Sequence, residues 1–213
     1  MNDLLKNKAL SIKLLIIVGL LTCLICLYDC GNQKEVKVEL KQITFNIDTT
    51  ELAAQITNKN IEITFNPPRN WQIIDSKLFQ KYKTNLQLDT NKNYGVSIIP
   101  QNIFTSDSMK CILAISRINF MDKKNVNSLI LEKYESVLNN KFANLKIKKA
   151  EFMKGNLPIV QYLINEAKYV DFKLLIFNKN KDLIQFDYIA STEIYPKMIQ
   201  AIESSIGSIQ LTK

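Results

Sequence analysis

Cysteine is the side chain whose spacing in this chain points most directly to chemistry. Cys23, Cys26 and Cys30 fall within eight residues, while Cys111 stands alone far downstream. A thiolate is a nucleophile, so a cysteine at the exit of an apolar run is a candidate for attached lipid. The plainer alternative is cysteine as a small hydrophobe. Other reactive groups are scarce. The chain has no histidine, which removes Ser-His-Asp and Cys-His catalysis, histidine metal ligation and the usual neutral-pH acid–base group. Cys111 alone cannot build a thiolate zinc site, and no carboxylate spacing matches a calcium loop. The five glycines do not cluster, so neither a phosphate-cradling loop nor a dinucleotide fingerprint is present. Glu132 and Glu135 lie three apart beside Lys133, an arrangement that a solvated helix face explains better than a paired-carboxylate site. The chain reads as a non-enzyme with no cofactor and no metal.

The first cysteines belong to an export signal. Lys6, Lys8 and Lys13 precede an apolar stretch, residues 14–28, with no further charge until Asp29. A basic start followed by a short apolar run is the pattern of a secretory signal. As a helix the run would rise about 22 Å at roughly 1.5 Å per residue, short of the roughly 30 Å of a bilayer core. The lysines would stay in the cytoplasm and the bulk of the chain outside. Cys30 marks the boundary, and Gly31-Asn32-Gln33-Lys34-Glu35 follows as a flexible polar tether. Asn2 is not the glycine that myristoylation needs, and Leu211-Thr212-Lys213 is no prenylation box.

This segment resembles a bacterial lipoprotein signal peptide. Leu27 stands at the aliphatic position three before Cys30, while Tyr28 and Asp29 replace the small residues of the family pattern. Looser boxes of this kind, with a composition rich in Lys, Asn and Ile, resemble spirochaete lipoproteins. Cys23, after Leu20-Leu21-Thr22, and Cys26 remain alternative sites, as does an uncleaved anchor. The resemblance implies that residues 1–29 are a signal peptide and that Cys30 carries a thioether diacylglycerol, usually with a third acyl chain. Residues 30–35 would then be the lipidated tether. Two chains already give stable anchoring at about 0.8 kcal/mol per buried methylene. The expected address is the cell envelope, the outer membrane in preference to the inner.

Three lysines and two aspartates precede Cys30, so the remainder carries 25 basic and 18 acidic residues, a balance of +7. Its length suits one globular domain, residues 36–213, with a substantial core. The lysines are spread along the chain. Arg69 and Arg117 are the only arginines, so bidentate phosphate or base readout is poorly supplied, and no nucleic-acid partner is expected. The expected partners are membrane lipid, through the acyl chains, and an envelope or host protein. The alternative function is small-ligand or lipid binding in a groove between sheet and helix.

Periodicity supplies the scaffold. Val36, Val38 and Leu40, then Ile43, Phe45 and Ile47, alternate with polar residues as a bulged strand. Asp48 with Glu51 forms a capping-box pattern before a short helical turn. Ile61, Ile63 and Phe65 form the next strand, stopped by Pro67-Pro68, and Trp71 and Ile73 resume it. Residues 77–88 are a helix or ordered loop, and 91–93 a turn. Residues 94–100 and 111–120 are strands separated by a polar connection. Val126, Leu129, Ile130, Tyr134, Val137 and Leu138 recur at helical spacing and bury one stripe. Four strands follow, at 145–153, 157–167, 169–177 and 183–190, the last two joined by a polar turn at 178–182. In the last strand Ile184, Phe186, Tyr188 and Ala190 face the core while Gln185 and Asp187 face water. A final helix, 194–206, buries Met198, Ile199, Ile202 and Ile206, tolerates Pro196 in its first turn and ends at a Gly207 cap. The fold class is α+β, a mainly antiparallel sheet covered by two long amphipathic helices.

From Ile61 to Gln210 this order is similar to the PsbP/Mog1-like fold, an α/β/α sandwich. The residues that carry the likeness are Phe65-Asn66-Pro67-Pro68-Arg69-Asn70-Trp71, the long helix after residues 111–120, and Tyr188-Ile189-Ala190-Ser191 leading into the last helix. These are packing features, so the resemblance implies no functional residue. Phe65, Trp71, Tyr162, Tyr169, Tyr188 and Cys111 are all expected to serve packing.

Overall fold

Strand-forming residues dominate the second half of the chain, and in the computed structural model they build one eight-stranded sheet. The structure describes residues 40–88, 95–106, 110–120 and 127–212. Cys23, Cys26, Cys30, residues 36–39 of the bulged strand expected over 36–47 and the turn at 91–93 lie outside them. The strands are β1 (Lys41–Gln42), β2 (Ile56–Asn58), β3 (Ile63–Phe65), β4 (Trp71–Ile73), β5 (Val96–Ser106), β6 (Cys111–Phe120), β7 (Ile147–Lys154), β8 (Leu157–Asn165), β9 (Tyr169–Phe177), β10 (Leu183–Ser191) and β11 (Gln210–Leu211). The helices are α1 (Ser76–Leu88), α2 (Asn127–Lys141) and α3 (Tyr195–Ser208). The large sheet runs β1-β7-β8-β9-β10-β6-β5-β4, and a small one runs β11-β3-β2. Among the described residues only the β1–β7 pair is parallel. The expected α+β class, with a mainly antiparallel sheet, is the architecture observed. Among the described residues no helix is long and apolar enough to cross a membrane.

Period-two alternation gives the sheet two buried faces. On one, Leu174, Ile176, Ile184, Phe186 and Tyr188 pack against α3 and the small sheet, which supply Ile202, Ile206, Ile63 and Phe65. On the other, Leu175, Leu183, Tyr162 and Ile164 lie under Tyr134 and Leu138 of α2. Each aliphatic or aromatic side chain fully buried this way contributes about 1.5–3 kcal/mol. Phe65 and Trp71 are core residues as expected, Phe65 edge-on to both Phe104 and Phe186.

Several elements depart from the sequence reading. Within the described residues the first strand is only Lys41–Gln42, with Ile43 donating one further backbone bond to Met153. Residues 43–47 then leave the ladder, and Ile43 and Phe45 pack on the core from outside it. The Asp48 pattern opens the expected short turn, but as a 3-10 turn over Thr49–Glu51 that stops before residues 52–54: Asp48 accepts from the Thr50 amide. β5 does not stop at Pro100. A register shift between Pro100 and Asn102 in the pairing with β6 carries the strand on to Ser106, a bulge being one of the places where a strand tolerates proline. Leu129 and Ile199, expected in buried stripes, are exposed.

Gly207 is not a helix cap. It lies inside α3, which runs to Ser208 with Ile209 as its C-cap. A Cβ there would come within 2.8 Å of both Ile47 Cγ1 and Phe45 Cβ, so glycine is required by the close approach of residues 45–47. Its neighbours are serines that work as clamps. Ser205 donates to the Asn66 carbonyl at 2.7 Å and shares a hydrogen bond with Tyr188, while Ser204 accepts from the Asp48 amide at 3.1 Å. This is how the Phe65-Asn66-Pro67 corner is fixed to the last helix.

Candidate functional site

The polar positions of β9 and β10 form the most unusual chemical environment among the described residues. Asp171 and Lys173 are two apart on β9 and therefore share a face. In the β9–β10 ladder Lys173 stands opposite Asp187, and Leu175 opposite Gln185. That face is the one covered by α2. Gln185 and Asp187 are thus buried, at 4% exposure each, not turned to water as the alternation alone implied. A half-wetted strand is the right expectation for a sheet with one free face; here α2 covers the second face as well.

Lys173 is the centre of the cluster. Its Nζ lies 2.7 Å from Oδ2 of Asp171 and 2.7 Å from Oδ1 of Asp187. Gln185 Nε2 donates to Oδ2 of Asp187 at 3.2 Å, and Tyr134 of α2 donates to Gln185 Oε1 at 2.8 Å. Asp171 Oδ1 is buried without a hydrogen-bond partner among the described residues. Burial opposes the charge on Lys173, but the two carboxylates outweigh it and hold the ammonium above its usual range. Burial, then the Asp187 carboxylate, pushes Asp171 well up. For Asp187 burial is outweighed by Lys173, and its carboxyl is held below the usual range. These shifts favour the neutral form of Asp171 and the charged forms of Lys173 and Asp187.

One strand further, Tyr162 stands opposite Lys173 and Lys149 opposite Tyr162. Glu135 of α2 accepts from the Tyr162 hydroxyl at 2.7 Å and pairs with Lys149, which also reaches Glu151 at 2.7 Å. Consecutive helix residues Tyr134 and Glu135 thus pin α2 to two neighbouring parts of the sheet. Glu135 is a positioned ion-pair partner rather than a freely solvated carboxylate. Glu132 takes no part in this network.

A cavity of about 50 Å³ adjoins the cluster, with Ser116, Tyr134, Lys173, Gln185 and Asp187 on its polar side and Ile98, Val137 and Leu138 among its apolar walls. It has room for water but not for an organic ligand, whose pockets measure roughly 300–1,000 Å³. A wider, open cleft of about 450 Å³ lies at the surface, lined by Lys110, Lys168, Tyr169, Ser191, Thr192 and Glu193. Tyr169 is exposed there, whereas Tyr162 and Tyr188 are buried. Cys111 is a buried strand residue as expected, its thiol pushed up by burial. Among the described residues no three Cys, Asp or Glu side chains gather as a metal-ligand group.

Sequence reasoning passed over Asp171 and Lys173, turned Gln185 and Asp187 to water, and read Tyr134 only as part of a buried helix stripe. A signal was available. A hairpin centred on Asn180 puts 173 opposite 187, so Asp171-x-Lys173 and Gln185-x-Asp187 were bound to meet.

No family model and no curated protein matches the chain. Among solved structures it is similar to cyanobacterial PsbP (CyanoP) from Synechocystis sp. PCC 6803. The TM-score is 0.49 at 11% identity, over 85% of this chain and 98% of that one. It is also similar to LpqN, involved in cell envelope biogenesis of Mycobacterium tuberculosis. There the TM-score is 0.43 at 9% identity, over 75% of this chain and 90% of that one. At these scores neither likeness transfers a residue or an activity, and the fold class rests on the strand order and the two-faced core.

Proposed function

We propose that the chain is an exported lipoprotein, held to the cell envelope through Cys30, whose α+β domain acts as a non-catalytic protein-interaction module. The observation that carries this reading is the N-terminal pattern: three lysines, an apolar run too short to span, and Cys30 at the junction with a polar tether. Acyl chains on Cys30 would insert in the outer membrane in preference to the inner, and residues 30–35 would hold the domain, residues 36–213, close to the lipid.

Two features of the domain support an interaction role over small-ligand or lipid carriage. The groove between sheet and α2 is filled apart from about 50 Å³, far short of the volume an acyl chain or drug-sized ligand needs. The surface cleft instead offers an exposed aromatic, Tyr169, in a lining shared with Lys110 and Lys168, and aromatic side chains are enriched where protein partners bind.

Photo-cross-linking in intact cells tests this. A photoreactive residue at Tyr169, in the otherwise native full chain, is expected to give one discrete protein adduct. The same residue at Ile73, which is also exposed, is expected to give little. Absence of a discrete adduct at Tyr169, with lipid adducts in its place, would overturn the interaction reading.

A further inference from the structure

We propose that Lys173 and Asp187 condense into an intramolecular isopeptide bond, a covalent strut between β9 and β10 beneath α2. The nucleophile, electrophile, proton relay and oxyanion donor are all present in one buried cluster. Nζ of Lys173 rests 2.7 Å from Oδ1 of Asp187, across directly paired positions. Holding two reactants at contact distance replaces a bimolecular encounter with a unimolecular one. In water the ammonium and carboxylate would stay apart as hydrated ions. In a dry core hydration no longer favours the charged forms, which brings the neutral amine and acid closer in energy to the ion pair.

Asp187 rather than Asp171 is the acceptor. Asp171 and Lys173 are two apart on the same strand, whereas Asp187 faces Lys173 from the neighbouring strand. Asp187 also has its second oxygen, Oδ2, already held by Gln185 Nε2 at 3.2 Å. That oxygen becomes the oxyanion of the tetrahedral intermediate, and a donor aimed at it favours its charge. Tyr134, by bonding Gln185 Oε1 at 2.8 Å, is a positioning residue that fixes which way the amide points.

The protons balance as follows. Lys173 gives one proton to Oδ1 of Asp187, leaving a neutral amine and a carboxylic acid. The amine lone pair attacks Asp187 Cγ, forming the C–N bond. The attacking nitrogen loses a proton to Asp171 while Asp171 passes its own proton to the departing Oδ1 hydroxyl. The C–Oδ1 bond breaks and one water leaves. Asp171 starts and ends protonated, and the linked pair has no net charge before or after. The unpartnered Oδ1 of Asp171 fits a carboxyl kept for proton transfer, and the adjoining cavity, lined by Lys173 and Asp187, can receive the water. Because both carboxylates hold Lys173 charged at rest, the reaction is slow and follows folding.

Peptide mapping by mass spectrometry on the full chain, incubated folded and then denatured and digested with trypsin, decides the matter. In the linked protein Lys173 is no longer a cleavage site. Residues 169–179 and 182–197 should emerge joined, lighter by one water than their sum, in most molecules. The joined fragment should vanish in Lys173→Arg, which keeps the positive charge, and should be strongly reduced in Asp171→Asn. Recovery from the wild type of free 182–197 and of a peptide ending at Lys173, after prolonged incubation, would overturn the proposal. That measurement on the wild type stands even if a variant fails to fold.

Discussion

Lys173 and Asp187 face each other across the β9–β10 ladder with 2.7 Å between Nζ and Oδ1, in a layer that α2 shuts off from solvent. Removing one member of such a pair leaves an uncompensated buried charge, which costs about 3–5 kcal/mol. Measured against freshly folded wild type in which the pair is still unlinked, Lys173→Met is therefore expected to lower the free energy of unfolding by that amount, read from urea titration. Replacing the cluster together, as Asp171→Leu, Lys173→Met and Asp187→Leu, should recover more than half of the loss, because a packed apolar set carries no desolvation penalty. A Lys173→Met variant within about 0.5 kcal/mol of wild type would show that the pair is not buried as described.

Gly207 gives a test whose sign separates local from tertiary effects. Inside an exposed helix, Gly→Ala stabilises by about 0.8–1 kcal/mol. In α3 the new methyl would lie 2.8 Å from Phe45 Cβ and Ile47 Cγ1. Gly207→Ala is expected to destabilise by about 1–3 kcal/mol, with faster proteolysis near residues 43–47. A rise in Tm would mean that this segment does not pack on α3.

Acid should loosen α2 before it unfolds the sheet. Burial raises the Glu135 carboxyl, but hydrogen bonds from Lys149 and Tyr162 outweigh it and hold the group below its ordinary value of 4.5. With a depressed folded pKa, its contribution is present above 4.5 and is lost as pH falls through the lower folded value. Glu135→Gln should therefore flatten the acid limb of the stability profile. An unchanged profile would remove Glu135 from the anchoring of α2.

Cys111 should report global opening. It is 1% exposed, and burial raises its thiol, so alkylation in the native state should be slow and should accelerate with denaturant in step with unfolding. Fast labelling of the peptide containing Cys111 in the folded protein would contradict its place on β6.

Much of the fold was legible because its signal is local. Cys111–Phe120 and Tyr169–Phe177 stand as read, since alternation and turn residues mark both ends. The Pro100 bulge was not legible: proline normally ends a strand, and the register shift that lets β5 run on lies in its pairing with β6, a fact of topology. Gly207 was misread for a similar reason. Its neighbours in sequence fit a cap, while its neighbours in space, Phe45 and Ile47, lie some 160 residues away. The charged cluster hid behind a sound rule applied to the wrong number of covered faces. Gln185 and Asp187 alternate with apolar residues as wet positions do, and only the docking of α2 shows that both faces are dry.

The anchor is tested most directly by growing cells with radiolabelled palmitate and comparing the wild-type chain with Cys30→Ser. Label on the wild type, its loss in Cys30→Ser and release of that variant from the membrane fraction are the expected results. Label retained in Cys30→Ser would move the lipid to Cys23 or Cys26, and a wild-type chain that takes up no label would contradict a lipid anchor altogether.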